Sequence, residues 1–416
     1  MEMQEVHSQI VEVVKRHCGS RKVTGLLGEL RTAESLGAGP GRRGTGKATE
    51  CGPVQTHSDG EFLDHMITLC RTVLDREEEP AALLEMGDVL KANGQMQKAA
   101  DLFSMVLSDD RGPVKKKHIA EAFMRRGELH SRLGQWKASQ ADLARSRTLF
   151  VGLRERVALG RVENILATNY AEQGNLKLAR KCYTRALSIF EESDQKEMAG
   201  TVLMNLGILL NIAGKYDEAL GHYTRALSLF EQLGDVCRLA ELHHNIGMTY
   251  LQWGQESAAI KEFNCSHYLA SRRNLLPVMG LALFGKANAH YRIRDYPLAA
   301  NFLQHAIGAF EQCDDRLGLA DAYKLKGMCH RDMKKYALAT SYFLTSLRMN
   351  REMKNRLNEA ETWFEMGLLE RQRRRKEETL KAFTEALAIF KEIGAAADVK
   401  RTEQEICTTN GGRHVS

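Results

Sequence analysis

Proline is scarce in this chain. Six prolines stand among 416 residues, and Pro113, Pro277 and Pro297 fall at segment edges or in a helix's first turn, where they do no harm. Charge of one sign is also lacking. Against 53 acidic residues there are 59 Lys and Arg, a net +6. A nucleic-acid binder usually shows a clustered basic patch or a higher pI, so no nucleic-acid partner is expected. No run approaches the ~18 apolar residues of a membrane-crossing helix. Met1 to His17 carries charges throughout and has no apolar core, so no secretory leader is expected. These absences imply a cytoplasmic protein with no membrane partner. The nine cysteines are scattered from Cys18 to Cys407, and no two form a C-x-x-C pair. Reduced thiols filling small holes account for them.

Chemistry-bearing constellations are equally thin. Gly41 to Thr49 nearly matches the phosphate-binding loop G-x-x-x-x-G-K-[ST], but Ala48 stands where a hydroxyl must hold magnesium. His243 and His244 are adjacent, so on a helix they point about 100° apart and do not share a metal. His130, His290 and His330 recur one per segment, which suits packing. No nucleophile–base set or carboxylate pair occupies a privileged place. No enzyme, cofactor or metal is expected.

What the sequence does contain is repetition. Leu203 to Phe230 reads as two short helices, with Leu203, Leu206, Leu209 and Leu210 on one face. Ala213-Gly214 breaks the run, and Tyr216, Ala219, Leu220, Tyr223, Ala226, Leu227 and Phe230 follow at helical spacing. The unit recurs every 40 residues without insertion or deletion. With Gly200 as position 1, position 8 holds Gly87, Gly127, Ala167, Gly207, Gly247, Ala287, Gly327 and Gly367. Position 20 is small in every unit, as Ala99, Ala219 and Thr379 illustrate. Position 24 holds Phe, Tyr or Leu, and position 27 is Ala or Ser in seven of eight units, with Val106 in the first. A glycine inside a helix costs about 1 kcal/mol relative to alanine. Six of them are tolerable only if each permits close approach of a neighbouring helix.

Leu206-Gly207, Tyr216, Ala219, Tyr223 and Ala226 resemble the tetratricopeptide repeat family, over residues 80 to about 407. The resemblance implies an all-α fold, a right-handed superhelical solenoid of antiparallel helix pairs. Two features depart from the family pattern. The period is 40 rather than 34, and position 32 has no proline, carrying Glu191, Glu231 or Lys391 instead. The second helix can then run on. Such long repeats look like those of G-protein-signalling modulator adaptors and kinesin light chains.

The expected organisation has N-terminal helices at 1–36 and a flexible glycine-rich linker or insertion at 37–60. A capping helix or half repeat follows at 61–79, then eight units at 80–394. A C-terminal capping helix at 395–407 and a tail at 408–416 close the chain. Val6, Ile10, Val13 and Val14 make one amphipathic face, and Leu63, Met66, Cys70 and Leu74 another. One reading makes Val23–Ser35 and Phe62–Asp75 the two helices of a split first repeat. The other has a disordered tail and one capping helix.

In this family the first helices line a concave groove through positions 2, 5, 9, 12 and 13. The family's carboxylate clamp, Lys at 5 with Asn at 9, does not occur. Lys324 is accompanied by Met328, and Asn288 by Phe284. The resemblance implies a non-enzymatic adaptor that binds a peptide or amphipathic helix of a protein partner. The expected contacts are Met204, Asn205, Ile208, His244, Asn245, Met248, Phe284, Asn288, Lys324 and Met328. Thioethers adapt to varied apolar side chains, and the asparagines suit a segment's backbone. Two other possibilities are that positions 5 and 9 pack between helices, and that the chain is a peptide-responsive regulator of an effector protein. Arg371 to Lys376 is the one dense basic run, a solvated turn or an acidic partner's contact.

Overall fold

The computed structural model describes residues 2–19, 23, 59–75, 78–108 and 114–411. The linker proposed at 37–60 lies outside them as far as residue 58, while its last two residues begin a helix, and almost all of the proposed helix Val23–Ser35 lies outside them. Nineteen α-helices and no strand occur among the described residues. The chain divides into two compact units, Met1–Gln195 and Lys196–Ser416. Among the described residues, no helix is long and apolar enough to cross a membrane.

The first unit holds α1 (Glu2–Cys18), α2 (Asp59–Val73) and three hairpins. These are α3 (Glu79–Ala92) with α4 (Met96–Leu107), α5 (Lys116–Arg132) with α6 (Trp136–Leu153), and α7 (Arg156–Glu172) with α8 (Leu176–Glu192). The apolar face Val6, Ile10, Val13 and Val14 is buried in one core with Leu63, Met66, Leu83 and Leu84. His7 stacks on Phe62 with ring centroids 3.9 Å apart. Asn93 donates to Gln9 at 3.0 Å. Helix α1 is thus packed onto the start of the array rather than trailing from it.

The second unit continues with α9 (Lys196–Ile212) and α10 (Tyr216–Leu233), then α11 (Val236–Gln252) and α12 (Glu256–Arg272). After these come α13 (Leu276–Arg292) and α14 (Tyr296–Gln312), α15 (Arg316–Asp332) and α16 (Tyr336–Glu352), and α17 (Arg356–Gln372) and α18 (Lys376–Ile393). Helix α19 (Ala396–Thr409) packs on α18. Position 32 lies inside the second helix, as Glu231 in α10 and Lys391 in α18 show.

Close approach explains the position-8 glycines. A Cβ on Gly247 would sit 2.7 Å from the ring of Phe263, and one on Gly327 2.6 Å from Phe343. A second row of rings was not evident from the repeat. Phe150, Phe190, Phe230, Phe310 and Phe390 stand at position 31 and are fully or almost fully buried. They meet glycine or alanine at position 1, and Gly160 and Phe190 are such a pair. Serine at position 27 is tolerated because its hydroxyl donates to the position-1 carbonyl. Ser146 reaches Ala120 O at 2.8 Å and Ser346 reaches Ala320 O at 2.9 Å. Both turns of a repeat carry a left-handed residue, at positions 15 and 35. Gly214 and Gly234 fill these places in one unit, Lys334 and Lys354 in another.

Candidate functional site

The first helices α13, α15 and α17 of the second unit together line a concavity of about 490 Å³. Helix α13 contributes Phe284, Asn288, Tyr291 and Arg292. Helix α15 contributes Asp321, Lys324, Leu325 and Met328, and α17 contributes Asn358 and Glu361. The 40-residue register brings them together, because equivalent turns of successive first helices lie side by side.

Lys324 is the hub of its wall. Its Nζ lies 2.5 Å from Glu361 and 3.3 Å from Asp321. It also donates to Asn358 Oδ1 at 3.5 Å, while Asn358 donates to Asp321 at 3.1 Å. Burial pushes the Asp321 carboxyl above its ordinary range, with Glu361 adding to the push and Lys324 opposing it. Lys324 is held ammonium by these two carboxylates although burial acts the other way.

A second ionic cluster stands about two turns further along α15. Arg331 is 5% exposed. Its guanidinium donates to Asp332 at 2.8 Å, to Glu365, and to the Tyr291 hydroxyl at 3.1 Å. Tyr291 in turn donates to Asp332 at 2.8 Å. Burial raises the Tyr291 hydroxyl's pKa, and its bond to Asp332 raises it further. Burial also works against the Asp332 carboxylate, but Arg331 and Tyr291 hold its pKa below the ordinary range. The cluster ties α13, α15 and α17 together. Removing one partner would leave a buried charge uncompensated, a loss of about 3–5 kcal/mol.

The carboxylates here are committed to cations, and no histidine or free nucleophile lines the concavity. What remains for an incoming chain is apolar surface and amide groups. The side chains of Asn288 and Asn245 make no hydrogen bond to another described residue.

Of the ten contacts expected from sequence, Phe284, Asn288, Lys324 and Met328 line this concavity. The other six sit on α9 and α11. Met204 is buried, 7% exposed, while Asn205, Ile208, Asn245 and Met248 are half-buried. His244 packs against Phe263 at 5.6 Å between ring centroids, and burial pulls its pKa down to about 4. His243 turns away to bond Glu262 at 2.7 Å. Sequence reasoning missed Tyr291, Asp321, Asn358, Glu361 and the Arg331 cluster. The signal was available in Asp321 and Glu361, both at position 2, bracketing Lys324.

The family model for the tetratricopeptide repeat matches residues 118–192, 198–270 and 318–392, together more than half of the chain. No curated protein sequence matches it. Among solved structures, the apo form of the quorum sensor NprR from B. thuringiensis aligns with a TM-score of 0.61 at 16% identity. That alignment spans 80% of this chain and 93% of NprR. A Rap protein complexed with Competence and Sporulation Factor aligns at 0.53 and 13% identity, over 80% of this chain and 98% of that one. The apo form of RapI aligns at 0.53 and 17% identity, over 67% and 99%. At these identities the likeness is one of fold. Read with the matched repeats, it makes this chain a member of the tetratricopeptide repeat family.

Proposed function

We propose that the chain is a non-enzymatic adaptor that binds a segment of a protein partner along its first helices. The observation that carries this is the α13–α15–α17 concavity, where Lys324, Asp321 and Glu361 satisfy one another while the Asn288 side chain remains unengaged. Asn288 is half-buried and open to an incoming chain, and an extended or helical segment that covers it supplies backbone groups for its amide to bond. Met328 and Phe284 offer adaptable apolar contact beside it. Co-purification followed by mass spectrometry identifies the partner. Asn245→Ala with Asn288→Ala should then weaken partner binding by about tenfold and leave the melting temperature unchanged. A folded double variant that keeps full affinity would defeat the proposal.

The Met204→Asp and Met248→Asp pair separates lining from packing. Since Met204 is buried, its aspartate should cost several kcal/mol of stability. Met248→Asp alone should fold and lose the partner.

A second reading, a peptide-responsive regulator, is favoured by the names of the structural neighbours. One is a quorum sensor and another is complexed with Competence and Sporulation Factor. A co-purifying short peptide and a marked fall in radius of gyration on binding it would favour this reading over the adaptor.

A further inference from the structure

A separate recess of about 680 Å³ lies among α12, α13 and α14, away from the concavity of α13, α15 and α17. Its lining contains no aspartate or glutamate. Lys286 of α13 stands in it, half-buried. The equivalent residue four repeats earlier, Arg126, is gripped by Asp142 through two bonds of 2.7 and 2.8 Å. At the place of that aspartate the recess has Phe302. The Lys286 ammonium lies 4.2 Å from the Phe302 ring centroid, with no carboxylate partner among the described residues. A half-buried cation over a ring is attracted by it but remains uncompensated.

Three further groups give the recess its chemistry. His267 of α12 and His305 of α14 border it. Gln304 accepts from Lys326 at 2.5 Å, which commits its oxygen and leaves its amide N–H groups to donate. The rest of the wall is largely apolar, with Met279 and Leu283 in it.

Gly308 is the independent observation. It lies inside α14 and lines the recess. A Cβ built there meets nothing within 4 Å. A mid-helix glycine weakens a helix relative to alanine. Here neither a turn nor a neighbouring helix calls for it, and it keeps the recess open.

We propose that this recess binds a small organic anion, a carboxylate or phosphate monoester carrying an apolar body. Lys286, with Gln304 and the two imidazoles, holds the anionic group. Met279, Leu283 and the space over Gly308 hold the body. The volume falls within the range of small-molecule sites.

The test is calorimetric titration of the full chain with phenyl phosphate, which carries both halves. Saturable binding is expected, tighter than that of inorganic phosphate or of phenol alone. Lys286→Met keeps the stem that covers Phe302 and should weaken binding about tenfold or more. Gly308→Leu should fill the recess and weaken binding at least as much, with a melting temperature equal to or above that of the unaltered chain. A capped peptide bearing one phosphotyrosine should bind more weakly than phenyl phosphate. Tighter peptide binding would overturn the assignment to a small molecule. No saturable binding of phenyl phosphate, or undiminished binding by both folded variants, would overturn the site itself.

Discussion

A glycine in these helices is either a contact or a gap, and the two kinds respond oppositely to a methyl group. Gly247 faces Phe263 at a distance that leaves no room for Cβ. Gly247→Ala should lower unfolding stability by about 1–2 kcal/mol, since overpacking outweighs the gain in helix propensity. Gly221, exposed in α10, has nothing within 4 Å of its Cβ position. Gly221→Ala should raise stability by up to about 1 kcal/mol. Urea denaturation of both measures the pair, and equal shifts would contradict the packing account. The position-8 glycines were legible in the sequence because a costly residue recurred at a fixed step. The position-31 phenylalanines were not. Ala270 and Asn350 interrupt that row, and the lengthened second helix that carries position 31 to the core is itself a consequence of the missing proline.

At the scale of the element, every repeat needs a left-handed residue where its helices turn. Arg374 takes that place between α17 and α18 with φ 59°. Such a conformation costs a non-glycine residue about 1 kcal/mol or more. Arg374→Gly should therefore stabilise the chain by about 1 kcal/mol, read from the shift of the urea midpoint. The basic run around it is largely self-compensated. Arg373 lies 2.8 Å from Glu370, and Arg371 bonds Glu405. Ion pairs also close individual hairpins. Arg156 bonds Glu192, and Arg356 lies 2.5 Å from Glu392. The repeat pattern did not announce these pairs, and the Lys324 wall was signalled only by Asp321 and Glu361 sharing position 2. They join residues 34 to 37 positions apart, and their chemistry belongs to individual repeats rather than to the recurring pattern.

Across the whole molecule, half-buried imidazoles shape the response to acid. His118, His244, His267, His290 and His330 all have pKa values lowered chiefly by burial. A lowered folded pKa means that the unfolded chain binds the proton first. The stability contributed by these groups is whole above pH ~6.5 and is lost as pH falls below it. For His244, held near 4, the loss approaches about 3 kcal/mol by pH 4. His244→Phe should flatten the decline in melting temperature between pH 6.5 and 4, and an unchanged slope would count against this assignment. Local opening should be uneven as well. Thr379 and Arg374 depart from the small residue and turn glycine of the pattern. Hydrogen exchange should show α18 opening before α9 to α12, and uniform protection across these helices would refute it.

The constant step of the array has a kinetic side. Its side-chain bonds between elements mostly span about one repeat or less, as the 36 residues from Arg316 to Glu352 and the 41 from Tyr291 to Asp332 show. A chain emerging from the ribosome can close each hairpin as soon as it is made, without waiting for sequence still to come. Helix α1 is the exception. It is synthesised before the array, yet its bond to the end of α3 spans 84 residues, from Gln9 to the C-cap residue Asn93. It must stay open until the start of the array exists to receive it. Sequence separation as such adds little to the equilibrium cost of that closure, about 0.6 kcal/mol per doubling. A segment translated ahead of the array is therefore stabilised only after the array has begun to form.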